Sequence, residues 1–351
     1  MQVGATSGPS PRTKRAVIDY DTMVSRTWRH GDLAGGHEYT SLVRYATLAA
    51  SSHNTQPWKF RLERARIRIL PDLSRRCPAV DPDDHHLYAS LGCAAENLLL
   101  AAQAAGLRGH LSFDESTSGV QIDVEQATPL RSALFEAIPS RQCSRVEYDG
   151  TQLPGDQLRR LEEAGRGRGV SLLLLTSAAH KAQVAEFVAE GNRAQFGDPQ
   201  WAQELKSWIR FNAHDAIRTG DGLYGRVMGN PDVPRWVGGL FMRLGFSATR
   251  QNRKDIAHIR SSAAIAILFS EVDDRPHWTE AGRCCERLAL QAAALQLRTA
   301  FINQPVEVPA LRSQLAVALG LGRCRPDLVV RIGRGPEMPR SLRRPLEQVL
   351  V

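Results

Sequence analysis

Lysine is almost missing from this chain. It supplies five of the 45 basic side chains, so arginine carries nearly all the positive charge. Arginine grips phosphate and carboxylate through two parallel N–H donors, a geometry lysine lacks. The formal net charge is +8 over 351 residues, yet the basic residues are spread along the chain and only Arg340 to Arg344 forms a dense run. That spread argues against a nucleic-acid partner. Cysteine is sparse too: the six stand at 77, 93, 143, 284, 285 and 324, with no C-x-x-C pair. Adjacent Cys284 and Cys285 point different ways on a helix. No disulfide framework and no metal site are expected, only reduced, buried thiols. Long apolar runs are absent as well. Leu98–Leu107 and Ala263–Phe269 fall well short of the roughly 20 residues that cross a bilayer, so no membrane partner is expected. The first twenty residues are polar and hold no apolar signal core, which reads as a cytoplasmic protein with an N-terminal tail.

Several catalytic signatures are missing. No G-x-G-x-x-G opens a helix after a strand; Gly165, Gly167 and Gly169 precede a strand instead. There is no P-loop and no G-x-S-x-G elbow. No paired carboxylates, Ser-His-Asp order or activated cysteine stands out, and nothing orients His53 as a base. No catalytic side chain is assigned. A chain without its own acid, base or nucleophile often leaves the hard chemistry to a cofactor.

What is present is a core-forming chain, 42% hydrophobic and 23% charged, long enough for two domains or for one built twice. Residues 1–37 read as a tail with a docking segment around Trp28. From Glu38 the pattern turns helical, with Leu42, Tyr45, Ala46 and Ala49 on one face and Thr40 or Ser41 as caps. Trp58, Phe60 and Leu62 alternate with Lys59 and Arg61 as in a half-buried strand, and Ile67 and Ile69 suggest its hairpin partner. Leu87 to Leu107 reads as a helix buried on most sides, and a second such helix starts near Ala281. Set Gly92–Leu107 against Gly282–Leu297 and seven of sixteen positions are identical, Gly92/Gly282 and Glu96/Glu286 among them. One structural unit therefore occurs twice. Further strands are expected at Val170–Leu175, Ala263–Phe269 and Leu328–Ile332, and a helix over Gln200 to Phe211. Residues 212–262, rich in Gly, Pro and Arg, read as an irregular lid or covering arm.

Three constellations could carry function. The loop Ser51–Gln56 has small neutral side chains that can approach a flat heteroaromatic ring closely, or can form an ordinary turn. In Ser140-Arg141-Gln142-Cys143-Ser144-Arg145, two arginines four apart make either a phosphate clamp or a basic surface turn. Arg340–Arg344 is either a solvated tail or one that folds back to supply a last phosphate ligand. His85-His86, after Asp83-Asp84, could attract a metal, but a polar turn following Asp81-Pro82 explains it as well.

The run Arg44-Tyr45-Ala46-Thr47-Leu48-Ala49-Ala50-Ser51-Ser52-His53-Asn54-Thr55-Gln56-Pro57-Trp58 resembles the A-P-S-S-x-N-x-Q-P-W signature of the nitroreductase superfamily. Asp81-Pro82 through Leu98 resembles its next helix. The Acg-like branch is the most similar, through His53 to Trp58, the second buried helix, the Asn303-Gln304-Pro305 turn and Arg343-Arg344-Pro345-Leu346-Glu347. The resemblance implies an α+β, nitroreductase-like fold with two tandem units in one chain. Each unit is a mixed or antiparallel sheet flanked by helices, and together they form a pseudo-dimer. The units would be 38–128 and 129–351.

It also implies one FMN per chain. Ser51, Ser52, Asn54 and Gln56 would face its ring. Arg141, Gln142, Cys143 and Arg145, joined by Arg343, would hold the phosphate end. Asn303 and Gln304 would pass near the ring edge. Two positions depart from the family pattern: Ala50 stands for a proline, and Cys143 for a Ser or Thr that donates a better hydrogen bond. The function implied is an FMN-dependent oxidoreductase that passes hydride from NAD(P)H to a nitroaromatic, quinone or similar acceptor. The alternative is an FMN store covered by its own lid. The chain would act as a monomeric pseudo-dimer or as a higher homo-oligomer.

Overall fold

The structure is a computed structural model that describes residues 19–31, 33, 39–245 and 247–351. Most of the tail expected over 1–37 lies outside the described residues, as does Glu38. In chain order the elements are α1 (Tyr20–Trp28), α2 (Tyr39–Ala46), β1 (Trp58–Glu63), β2 (Arg66–Pro71), α3 (His85–Ala104), β3 (Leu107–Asp114), β4 (Gly119–Gln126), α4 (Ala133–Ala137), α5 (Gly155–Ala164), β5 (Val170–Leu175) and α6 (Ala178–Phe196). There follow α7 (Pro199–Trp208), β6 (Ile209–Arg210), α8 (Ala213–Thr219), β7 (Leu223–Tyr224), α9 (Arg235–Leu244), α10 (Ala248–Arg260), β8 (Ala264–Ser270), α11 (Arg275–Ala294), β9 (Arg298–Phe301), α12 (Gln304–Glu307), α13 (Pro309–Ala318) and β10 (Arg325–Gly333).

The fold is α+β, with two four-stranded antiparallel sheets, one from each part of the chain. The first runs β1-β2-β4-β3 and the second β5-β8-β10-β9. In the hairpin, Phe60 pairs with Ile69 and Leu62 with Ile67. Phe60, Ile67 and Ile69 are fully buried, while their neighbours Arg61 and Arg68 face outward, as the alternation predicts. The second sheet is different. β8 and β10 are buried along almost their whole length, because helices cover both faces.

Helices α3 and α11 hold the sheets together, and they cross at the paired glycines. A methyl carbon built on Gly92 would lie 1.9 Å from the Thr279 carbonyl oxygen, and one on Gly282 would lie 1.9 Å from that of Ala89. The identical glycines thus sit at reciprocal points of one close crossing, which only residues without a side chain permit. The thiol of Cys93 donates to the Gly282 carbonyl across it at 3.2 Å. The C-terminus then returns to the first sheet: Phe60 N–H donates to Val349 at 2.7 Å, and Val351 N–H to Phe60 at 2.9 Å.

Some expectations need correction. Residues 212–262 are mostly helical, in α8, α9 and α10. Their caps are in the sequence: Asn212 accepts from Asp215 N–H, Gly220 closes α8 at φ 64°, and Ser247 opens α10. The apolar stripe was what was missing, since α10 offers little beyond Ile256 and Ile259. Helix α11 begins at Arg275, nearly two turns before Ala281, because Asp274 caps it and Pro276 fills its first turn. The helix read to Leu107 ends at Ala104, and Leu107 opens β3; Gly106, at φ 82°, makes the turn. Thr40 and Ser41 lie inside α2 rather than at its cap. The helix read over Gln200 to Phe211 stops at Trp208, where Ile209 turns extended to pair with Leu223.

Candidate functional site

A cavity of about 640 Å³ opens between the two parts of the chain. One wall is the loop Ala50 to His53 with Ala89, Ser90 and Cys93 of α3. The opposite wall carries Arg145, Phe301, Asn303, Gln304 and Glu307. Helix α6 adds Asn192 and Gln195, and Val237, Phe241 and Met242 of α9 form a roof.

The loop is held in an uncommon conformation. His53, Asn54 and Gln56 all have positive φ (47°, 54° and 53°), which costs non-glycine residues energy and marks functional segments. Its anchors are side-chain hydrogen bonds to distant backbone. Asn54 Nδ2 donates to the carbonyls of Gly222 (3.1 Å) and Leu342 (3.2 Å), and Asn54 Oδ1 accepts from Arg343 (3.0 Å). Gln56 Nε2 donates to Gly220 (2.9 Å), and Gln56 Oε1 accepts from Arg344 N–H (2.8 Å). Both side chains are buried behind the loop rather than in the cavity. They fix the backbone so that Ser51, Ser52 and His53 reach the cavity wall. The Ser51 hydroxyl accepts from Gln56 N–H at 3.1 Å, and Ser52 N–H donates to Ser90 Oγ at 3.3 Å.

The two expected clamp arginines part company. The segment at Arg141 is extended, so a spacing of four does not bring the side chains together. Arg141 turns inward, donates to the Leu48 carbonyl at 2.9 Å and pairs with the buried Glu286 carboxylate at 2.9 Å. Burial pushes that carboxyl up from its ordinary value, and Arg141 opposes the shift. Arg343 is also consumed. It donates to the carbonyls of Thr47 (2.7 Å), Leu48 (3.0 Å) and Ala49 (3.1 Å), and burial lowers its pKa to about 9. Arg141, Arg340 and Arg343 all stack on Trp28, at 5.8, 5.3 and 4.7 Å from the ring centre.

Gln142 Oε1 accepts from Met338 N–H at 2.7 Å, and Cys143 bridges to Thr299; neither lines the cavity. Arg145 does line it. Among the described residues its guanidinium makes no hydrogen bond and no ion pair. Asn303 is oriented by accepting from Val329 N–H at 2.9 Å. Gln304 Nε2 donates toward Asn192 (3.3 Å) and Asp255 (3.4 Å), while its buried Oε1 has no partner among the described residues. Of the eleven residues expected at the site, then, Ser51, Ser52, Arg145, Asn303 and Gln304 meet at the cavity. Asn54, Gln56, Arg141, Gln142, Cys143 and Arg343 frame it from behind.

Titratable groups absent from that expectation also reach the cavity. Glu307 accepts from Gln195 Nε2 at 2.6 Å and lies 3.5 Å from His86 Nε2. This pairing raises the His86 pKa against its burial and lowers that of Glu307. Behind them His86 Nδ1 is 2.9 Å from His85 Nδ1, and His85 Nε2 is 3.0 Å from Asp327, whose pKa burial raises to about 7. Asp81 accepts from His86 and Leu87 N–H, both at 3.0 Å, and so caps α3. His53, in the cavity wall, is lowered to about 4 by burial. A signal for α6 was legible: Asn192 and Gln195 are three apart and so share a helix face.

An unpaired guanidinium, an unsatisfied acceptor, short hydroxyls and an apolar roof suit a flat polar ring with an anionic tail. The likeness to the nitroreductase superfamily holds over nearly nine-tenths of the chain. A Mycobacterium tuberculosis protein named "Putative NAD(P)H nitroreductase Rv3131" is 28% identical over 334 residues, covering 88% of this chain and 90% of that protein. One from the same organism named "Putative NAD(P)H nitroreductase acg" is 23% identical over 323 residues, covering 88% and 94%. Among solved structures, the FMN-dependent nitroreductase NfnB from Mycobacterium smegmatis, in complex with NADPH, aligns at 12% identity over 62% of this chain and 96% of that one, with a TM-score of 0.40. No family model matches the chain. Among the described residues, no helix is long and apolar enough to cross a membrane.

Proposed function

We propose that this chain is an FMN-dependent NAD(P)H oxidoreductase and that the 640 Å³ cavity is its flavin site. The observation that carries the reading is the meeting of Ser51 and Ser52 from one part of the chain with Arg145 and Gln304 Oε1 from the other, both without a partner among the described residues. Arg145 is the cation for the phosphate end. Gln304 Oε1 is an acceptor for a ring N–H, and leaving it buried without a donor costs about 1–3 kcal/mol. FMN held there would supply the two-electron redox chemistry between NAD(P)H and an acceptor such as a nitroaromatic or quinone.

The chain's own residues bind, orient and exclude. The pinned loop presents Ser51 and Ser52 in one fixed geometry, which removes ordering entropy from binding. Val237, Phe241 and Met242 keep water from the roof. The Glu307 carboxylate beside His86 favours the charged form of that imidazole at the cavity wall, against its burial. We further infer that 38–128 and 129–351 act as tandem units of a pseudo-dimer, so that one chain completes one site. The two sheets and the reciprocal glycine crossing support this.

A second reading, an FMN store with little turnover, is favoured by one feature: α9 roofs the cavity with the chain's own side chains. The test is the visible spectrum of the purified protein, followed by anaerobic addition of NADH or NADPH. Flavin absorbance that bleaches promptly supports the oxidoreductase. Bound flavin that resists both nucleotides supports the store. Protein that stays colourless after incubation with excess FMN overturns both.

A further inference from the structure

Helix α9 has two faces, and the cavity uses only one. Val237 and Met242 point to the cavity, and Gly238 packs against the Phe211 ring. On the other face Trp236 is 73% exposed and Leu240 50%, one helical turn apart, and a methyl carbon on Gly239 between them would meet nothing within 4 Å. Phe241, at the edge, is 49% exposed. Among the described residues only eight large hydrophobic side chains are exposed, and three of them fall in these six positions. Such clustering marks an interaction surface.

The exposed charge near this face is mostly of one sign. Arg235, Arg250, Arg253 and Lys254 are exposed, Arg250 and Lys254 at the cavity, against one exposed carboxylate, Asp232. An exposed Trp–Leu face on a short helix, with a surplus of exposed cations near it, is the pattern of a helix that lies in the interface of an anionic bilayer. Self-association through this face would set this surplus of cations against its own copy, which disfavours a second copy as the occupant. A helix lying on a membrane needs no spanning segment, so the absence of long apolar runs does not bear on it.

We propose that the outer face of α9 docks on an anionic lipid surface, with Trp236 and Leu240 inserted among the acyl chains and the cations against the headgroups. Because α9 also roofs the cavity, docking places the cavity mouth at the bilayer. That last consequence, entry of lipophilic acceptors from the membrane, rests on the flavin reading. The docking does not.

The test is co-sedimentation of the full chain, without added flavin or acceptor, with equimolar phosphatidylglycerol/phosphatidylcholine vesicles and with pure phosphatidylcholine vesicles. The proposal expects partition at least about tenfold stronger onto the anionic vesicles, weakened by high salt. It expects a blue shift of tryptophan emission that is lost in Trp236→Ser; four other tryptophans, 28, 58, 201 and 278, are already buried. Arg235→Gln with Arg253→Gln should lower partition about 25-fold, taking about fivefold per cation. Circular dichroism of each variant identifies any that has simply failed to fold. Equal partition onto neutral vesicles, no partition, or no blue shift overturns the proposal. So does a doubled mass in solution that Trp236→Ser restores to single, since that would make a second copy the occupant. A colourless protein that still binds anionic vesicles would refute the flavin reading and leave the docking standing.

Discussion

Replacing Gly282 with alanine tests the crossing on which the cavity is built. In an ordinary helix interior this change stabilises, by about 1 kcal/mol, because glycine gives up more backbone freedom on folding. Here the sign should reverse. The new methyl would lie 1.9 Å from the Ala89 carbonyl oxygen, 2.6 Å from its carbon and 2.8 Å from its Cα. All three atoms are backbone, so no side chain can rotate away. Ordinary carbon contacts begin near 3.5 Å, so α3 and α11 must move apart by about 1.5 Å, and both are buried on nearly every side. Overpacking of this kind costs about 3 kcal/mol at the upper end of its usual range. Subtracting the backbone gain leaves Gly282→Ala less stable by about 2 kcal/mol.

Gly92→Ala should cost about as much, since its methyl meets the Thr279 carbonyl at the same 1.9 Å. The double variant should cost less than the sum, because helices already parted for one methyl make room for the second. Gly239→Ala is the control: with nothing within 4 Å, it should recover the ordinary gain. Urea unfolding followed by far-ultraviolet circular dichroism reads all four proteins on one scale. Ala89 also lines the cavity, so Gly282→Ala should weaken FMN binding as well. A Gly282→Ala protein as stable as the wild type would refute the close crossing and, with it, the argument that the paired glycines define the seam.

Arg145→Ala should weaken FMN binding about 10- to 100-fold, the worth of a charge-assisted hydrogen bond, in a fluorescence titration; an unchanged Kd would remove Arg145 from the site. Arg141→Ala should instead lower stability by about 3–5 kcal/mol, because Glu286 is left buried without its partner, and equal unfolding midpoints would contradict that pairing. His53→Asn, which tolerates the positive φ, isolates one titration. Folded His53 has a pKa of about 4 against an ordinary 6.5, so the unfolded chain takes up a proton that the folded chain refuses and stability is lost as pH falls through that window. The variant should therefore gain on the wild type in urea unfolding between pH 7 and 4.5; a constant difference would show that His53 is not buried neutral. Gln56→Ala removes the bonds to Gly220 and to Arg344 N–H, and should make the C-terminal tail cleave sooner in limited proteolysis.

The fold was legible where a single period carried it. The alternation at Trp58–Leu62 and Ile67–Ile69 gave the hairpin, and the paired Gly92 and Gly282 pointed to a repeated unit whose glycines meet in space. It was not legible where caps rather than apolar stripes define the element. In α8 and α10 the start and stop residues were present, but long polar faces hid the period, and a run of Gly, Pro and Arg looked irregular. Strands β3 and β4 went unread because outward-facing polar residues, such as His110 and Gln121, interrupt them on a sheet covered on one side only.

The arginines show why a motif names a neighbourhood better than it names contacts. Arg141, Arg145 and Arg343 read alike in sequence, as cations available to an anion. What separates them is the demand of the surrounding backbone. Just beyond α2 the chain leaves the carbonyls of Thr47, Leu48 and Ala49 buried and turned inward, and each needs a donor. Arg343 and Arg141 supply these donors, and Glu286 balances part of their charge. Arg145 meets no such demand and, among the described residues, remains unpaired at the cavity. The same division holds in the loop, where Asn54 and Gln56 serve distant backbone while Ser51 and Ser52, between them and α2, are left to face the cavity. The groups that face the cavity are the ones on which the surrounding backbone makes the fewest demands, held in place by neighbours of the same chemical type that meet the rest.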